Sequence, residues 1–177
     1  MARDHNRAET RQRVIRAAGE LFLVDGFSGT TIREIAERAG VSTGSVMAVG
    51  DKGTLLVDVF DAFIAAAHDA AKAPTGNSVA ERALDIVRPF VQIFTTHPEL
   101  SRAYASTLVG GVRTAEVFDG LAARLIDEFV AAGSTSDQAR AMHAAYLGTL
   151  FLSTSREPDR DVLESDLARL FTAIAGA

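Results

Sequence analysis

Cysteine and tryptophan are both missing from the 177 residues, and proline occurs only four times. Without cysteine there is neither a disulfide nor a thiolate metal site, so stability has to come from packing. Histidine is nearly as scarce: no two of His5, His68, His97 and His143 stand three or four apart on a common helix, so a helical metal pair is excluded. No run approaches about 18 uninterrupted apolar residues, and the polar start Met-Ala-Arg-Asp-His-Asn-Arg leads into no apolar stretch. Neither a membrane span nor a secretory signal is expected, and the default location is cytoplasmic. The chain also lacks a Gly-x-x-x-x-Gly-Lys phosphate loop and a Gly-x-Gly-x-x-Gly turn, with hardly a strand pattern to mount one. Glu157, Asp159, Asp161, Glu164 and Asp166 read as a solvated face. The expectation is no metal, no cofactor and no enzyme.

What is present is helical periodicity. At 47% hydrophobic residues the chain can bury a sizeable core. A first helix is expected from about Thr10 to Asp25, with Val14, Ala18, Leu21 and Phe22 on one face and a stop at Gly26. Gly19 inside it costs ~1 kcal/mol relative to alanine and is expected to be exposed. A long fourth helix is expected from about Lys52 to Ala73, along the stripe Leu55, Leu56, Val59, Phe60, Phe63, Ile64 and Ala67, ending at Pro74-Thr-Gly-Asn77. Ser78 and Glu81 form a capping-box pattern for a fifth helix with Leu84, Val87, Val91 and Phe94 on its face and a kink at Pro89. His97-Pro98 opens a sixth that fades at Gly110-Gly111, and Val117, Phe118, Leu121, Leu125 and Phe129 mark a seventh ending at Gly133. An eighth spans about Ser136 to Ser155 and a ninth follows Pro158. The predicted fold is all-α, with about nine helices.

Between the first and fourth helices lies the most informative stretch, Thr31-Ile-Arg-Glu-Ile-Ala-Glu-Arg-Ala-Gly-Val-Ser-Thr-Gly-Ser-Val46. Thr31 can cap a short helix whose apolar positions Ile32, Ile35, Ala36 and Ala39 follow helical spacing. Gly40 supplies the left-handed residue that ends it. Val41 can fill the corner, Ser42 can cap the next helix, and Thr43, Ser45, Met47 and Ala48 then stand on the turns that meet a major groove. This is the pattern of a helix-turn-helix DNA reader. Charge supports it: residues 1–52 hold eight Arg and Lys against seven Asp and Glu, the remainder ten against sixteen. Arg3, Arg7, Arg11, Arg13 and Arg16 form a basic arm suited to phosphate or, less specifically, a solvated helix face.

The residues Thr10, Arg13, Val14, Ile15, Ala17-Ala18, Leu21-Phe22, Gly26-Phe27, Thr30-Thr31, Ile35-Ala36 and Ala39-Gly-Val-Ser42 resemble the N-terminal domain of TetR-family transcriptional regulators, over roughly residues 10 to 56. The resemblance implies a homodimer with a helix-turn-helix DNA-binding domain, 1–52, and a ligand-binding and dimerisation domain, 53–177. It implies a repressor released from a palindromic double-stranded DNA operator by a small molecule. The DNA-binding residues it points to are Thr31, Arg33, Ser42, Thr43, Ser45, Met47, Ala48 and Lys52. Thr31, Arg33, Thr43 and Lys52 are assigned mainly to phosphates, and Thr43, Ser45 and Ala48 to base edges. Short side chains there predict methyl contacts to thymine or water-bridged bonds instead of arginine–guanine forks.

In the body, Phe63, His68, Phe90, Gln92, Phe94, Tyr104, Leu108 and Phe118 lie among runs of alanine, and large rings framed by small residues either leave a pocket or fill a core. The resemblance favours a pocket for a largely apolar ligand, with His68, Gln92 and Tyr104 as polar handles. Ala144 to Leu152 is apolar nearly all round, and Leu163, Leu167, Leu170 and Ile174 recur at four, three and four residues. That seam fits intramolecular packing or, as the resemblance implies, a dimer interface shared with Tyr146 and Leu150. One departure stands out. Where the family has a tyrosine, then an aromatic pair, this chain reads Met47, Ala48, Val49, Gly50, Asp51, one residue short. The alternative is therefore a helical ligand-binding or interaction protein of the same fold whose DNA binding is weakened or lost.

Overall fold

Helical periodicity becomes helix throughout the computed structural model, which describes residues 2–110, 115–155 and 159–176. Among these residues there are nine helices and no strand: α1 Ala2–Gly29, α2 Ile32–Ala39, α3 Thr43–Val49, α4 Lys52–Ala70, α5 Val79–Thr96, α6 Pro98–Val109, α7 Ala115–Ala131, α8 Ser136–Ser153 and α9 Arg160–Ala175. They gather into two compact units, Met1–Ile64 with Glu99–Val112, and Ala65–Pro98 with Arg113–Ala177. The division falls inside α4, and α6 joins the first unit.

In the first unit, α1 begins eight residues before the expected Thr10. Nothing between Ala2 and Thr10 breaks a helix, and His5 and Glu9 pair one turn apart at 3.5 Å. It breaks where expected, at Gly26, whose φ of 74° is left-handed. Gly19 is not exposed as expected. It is buried, and a Cβ there would lie 3.5 Å from Val59 Cγ1, so α4 rests on the glycine. Val14, Ala18, Leu21 and Phe22 of α1, Ile35 and Ala36 of α2, Val46 of α3 and Leu55, Leu56, Val59 and Phe60 of α4 form the core. Phe60 stacks on Tyr104 of α6, centroids 4.4 Å apart. Arg11 donates to Asp58 Oδ2 at 2.7 Å, so the buried carboxylate on α4 meets a cation from α1. α4 ends at Ala70, short of the expected Ala73.

In the second unit, the Ser78–Glu81 capping box opens α5 as expected, and the helix runs unbroken across Pro89. Its buried stripe is Ala80, Ala83, Val87, Phe90, Val91 and Phe94, leaving Leu84 half-buried. Arg88 ties α5 to α9 by donating to Glu164 at 3.0 Å, and it also donates to Asp85 one turn back on α5 at 2.5 Å. A second capping box, Thr135 with Gln138, opens α8, and Asp159 caps α9. Phe129 of α7 meets Phe171 of α9 edge-on at 5.7 Å. The side chains of Val117 and Phe118 lie outside the described residues.

Candidate nucleic-acid interface

The helix-turn-helix is held by reciprocal local bonds. Thr31 Oγ1 accepts from Glu34 N–H at 3.3 Å while Glu34 accepts from the Thr31 N–H at 2.8 Å, closing a capping box at the start of α2. The Thr31 hydroxyl and N–H together hold the Glu34 carboxyl below the usual carboxylate range. Gly40 adopts φ 65° and ψ 41°, and Val41 N–H returns to Ala36 O at 3.0 Å, which ends α2 and turns the chain. Ser42 then caps α3 by accepting from Ser45 N–H at 3.1 Å. The two serine hydroxyls also bond each other at 2.9 Å, so Ser45, expected at base edges, is half-buried and engaged with its own cap. Val46 is the inward anchor at 0% exposure. Thr43, Gly44, Met47 and Ala48 are exposed, Met47 by 54%. Val41, expected in the corner, is half-buried.

The shortened segment after α3 has a physical explanation. A Cβ at Gly50 would come within 2.7 Å of Thr54 Cγ2, so only glycine allows α4 to start this close to α3. Asp51 caps α4 by accepting from Thr54 N–H at 2.7 Å, and that bond holds its carboxyl below the usual range. Reading the sequence missed this cap, although an aspartate just ahead of a long apolar-periodic run is its ordinary signal. The cap sets Lys52, whose ammonium donates to Thr30 O at 2.7 Å and Ser28 O at 3.5 Å and sits 4.5 Å over the Phe27 ring. Lys52 thereby fixes the link between α1 and α2.

The remaining cations divide. Arg7, Arg13 and Arg16 on α1 are exposed, whereas Arg11 is committed to Asp58 and the Arg3 side chain lies outside the described residues. Arg33 is 82% exposed and pairs one turn along with Glu37 at 3.0 Å, an exposed pair of little strength that a phosphate can replace.

The residues expected around a ligand divide between the two units. Phe63, Tyr104 and Leu108 belong to the first, with Tyr104 buried on Phe60 and the other two half-buried. His68, Phe90 and Phe94 are buried in the second. His68 lies 4.5 Å from the Phe90 ring and its Nδ1 is 3.3 Å from Glu128. Burial pushes the His68 pKa below the ordinary histidine value; Glu128 pulls it up and Arg124 pushes it further down. Gln92, expected as a polar handle, is exposed, because Val91 and Phe94 occupy the inward side of α5. Phe118 lies outside the described side chains.

Of the expected dimer residues, Tyr146, Leu150, Leu163 and Leu167 are at most 6% exposed within the single chain. Leu163, Leu167 and Phe171 make the inward line of α9, while Leu170 is 41% exposed and Ile174 half-buried. Leu152, Val162 and Leu170 line an open groove of about 720 Å³ that also carries Thr149, Asp166 and Arg169. Among the described residues no three His, Asp or Glu are placed to share a metal ion, and no helix is long and apolar enough to cross a membrane.

The model of the bacterial regulatory proteins of the tetR family matches residues 14–48, the run from the core of α1 into α3. No curated protein matches the chain in sequence. A TetR-family transcriptional repressor of Thermus thermophilus, FadR, solved in complex with lauroyl-CoA, superposes with a TM-score of 0.71 at 22% identity, covering 93% of this chain and 92% of that one. A transcriptional regulator from Rhodococcus gives 0.59 at 18% identity, covering 93% and 95%. A variant of TetR from Acinetobacter baumannii, in complex with minocycline, gives 0.55 at 26% identity, covering 92% and 93%. The similarity of fold therefore extends over nearly the whole chain, well beyond the head.

Proposed function

We propose that this chain, whose head matches the tetR-family model and whose fold is similar to that of solved TetR-family regulators, is a homodimeric repressor of that family that a small molecule releases from a palindromic operator. The observation that carries the reading is the pair of capped helices joined at left-handed Gly40, with one face of α3 open and Val46 anchored beneath it. A two-fold dimer places one such helix in each of two successive major grooves, which makes the operator two-fold as well. Residues 1–52 serve as the DNA-binding domain and 53–177 as the ligand-binding and dimerisation domain. Arg33 and the exposed Arg7, Arg13 and Arg16 supply phosphate contacts, and Thr43 stands at the groove edge. Lys52, already engaged with Thr30, Ser28 and Phe27, acts instead as a positioning residue for the corner.

Dimerisation uses the outer side of α8 and α9, where Leu152, Val162 and Leu170 remain open. The minocycline complex of the Acinetobacter protein supports a small-molecule effector, and the buried aromatics His68, Phe90 and Phe94 support a largely apolar one. Release is a population shift: about 5.5 kcal/mol of differential affinity moves a 1:99 equilibrium to 99:1. The test is fluorescence anisotropy of the purified protein on DNA flanking its own gene, with a scrambled duplex as control, across a salt series. Tight, sequence-selective binding that falls steeply with salt is the expected result. Equal, weak binding to both duplexes is the result that favours the second reading, a ligand-binding protein whose uncharged α3 no longer reads DNA.

A further inference from the structure

The reading helix has almost no means of hydrogen bonding to bases. Its sequence, Thr-Gly-Ser-Val-Met-Ala-Val, contains no charged side chain and no amide. Val46 is turned inward and the Ser45 hydroxyl is held by Ser42 at 2.9 Å, so the outward face consists of Thr43, Gly44, Met47 and Ala48. At 3.6 residues per turn these four fall within roughly 140° of arc, one continuous strip. Met47, 54% exposed, is its largest group.

Such a strip cannot form the bidentate bonds by which arginine reads guanine or asparagine and glutamine read adenine. The apolar feature of the major groove is the C5 methyl of thymine. A thioether chain on a mobile, unbranched stem, flanked by the Ala48 and Thr43 methyls and by a glycine that lets the backbone approach, is suited to cover it. We propose that Met47, with Ala48 and Thr43, reads thymine methyl groups in each operator half-site, and that Met47 is the main specificity-determining residue. This rests on the reading of the chain as a DNA-binding regulator and adds the chemistry of the half-site. Covering one methyl is worth about a fourfold gain in affinity.

The experiment starts with selection of duplexes from a random library by the full-length protein. Each thymine of the selected duplex is then replaced in turn by uracil, which keeps O4 and the base pair and deletes only the methyl, and Kd is read by anisotropy. At one or more thymines per half-site, uracil is expected to weaken binding about fourfold. That penalty is expected to fall below about twofold in Met47→Ala and to persist in Met47→Leu, which still presents an apolar side chain. The ratio of thymine to uracil affinities is independent of any general loss of affinity in the variants. A selected duplex indifferent to uracil, or a penalty unchanged in Met47→Ala, overturns the inference and leaves the regulator reading standing. Failure of the library to yield any preferred sequence overturns both.

Discussion

The α2–α3 corner and the α8–α9 pair each consist of two helices with capped starts, yet they leave surfaces of different character open. Within the corner, α3 presents a narrow, uncharged strip of small groups around Met47, whereas α8–α9 presents Leu152, Val162 and Leu170 beside Asp166 and Arg169. The corner is built from bonds between residues at most a few places apart, closed by one left-handed glycine. The pair is built from burial, and burial distinguishes residues that periodicity treats as equals. Leu167 and Leu170 belong to the same heptad-like series, but one is 0% and the other 41% exposed. Local chemistry thus decides the shape of the first region, and packing decides which side of the second remains exposed.

Substituting both leucines is the strongest way to break this contrast. Leu167→Ala is expected to lose about 2–5 kcal/mol of stability in denaturant unfolding, as deletion from a filled core does. Leu170→Ala is expected to change the unfolding of the subunit by less than about 1 kcal/mol, and, on the proposed dimer, to weaken self-association in sedimentation equilibrium. Equal losses for the two would remove the distinction between inner and outer sides of α9.

Smaller effects sharpen the description of the corner. Thr31→Ala and Ser42→Ala should each cost about 0.5–2 kcal/mol in thermal or chemical unfolding. Gly40→Ala should cost about 1 kcal/mol for purely conformational reasons, because a Cβ there meets nothing within 4 Å. A neutral Gly40→Ala would mean that the turn tolerates a different backbone.

The smallest expected effect concerns pH and the second unit. His68 is held below its unfolded pKa of about 6.5, so the unfolded chain takes up the proton first. Its contribution to stability is complete above about pH 6.5 and is lost as pH falls through the folded value. Glu128, Arg124 and Asp69 are the charged groups acting on it. Midpoints of thermal unfolding should therefore decline from pH 7 to 6, less steeply in His68→Gln. A residual slope is expected from His143, which burial shifts in the same direction.

Much of the corner was legible beforehand because its signals are residue types at fixed places: Thr31 just before the first apolar position Ile32, Gly40 after Ala39, Ser42 just before Thr43; the return bond from Glu34 to Thr31 is a further feature that the structure adds. The Thr135–Gln138 box and the Asp51 cap carried equally plain signals and went unread. Other features had no local signature. Ser45 closing on Ser42, Lys52 gathering Thr30 and Phe27, Gly19 under Val59 and Gln92 turned to solvent are products of three-dimensional placement. The division of supposed ligand residues between two units was likewise invisible to spacing, which identifies a helical face without saying what that face meets.

The close approach of Thr54 to Gly50 has a practical consequence for engineering. Transplanting a recognition helix from a relative usually treats that helix as an exchangeable cassette. Here the cassette should not end at Val49: a donor sequence bringing a side chain to position 50 places its Cβ within 2.7 Å of Thr54, the residue whose N–H the Asp51 cap engages, so the joint has to shift. The transferable module is Ser42 through Thr54, and a graft respecting those limits would carry its own joint.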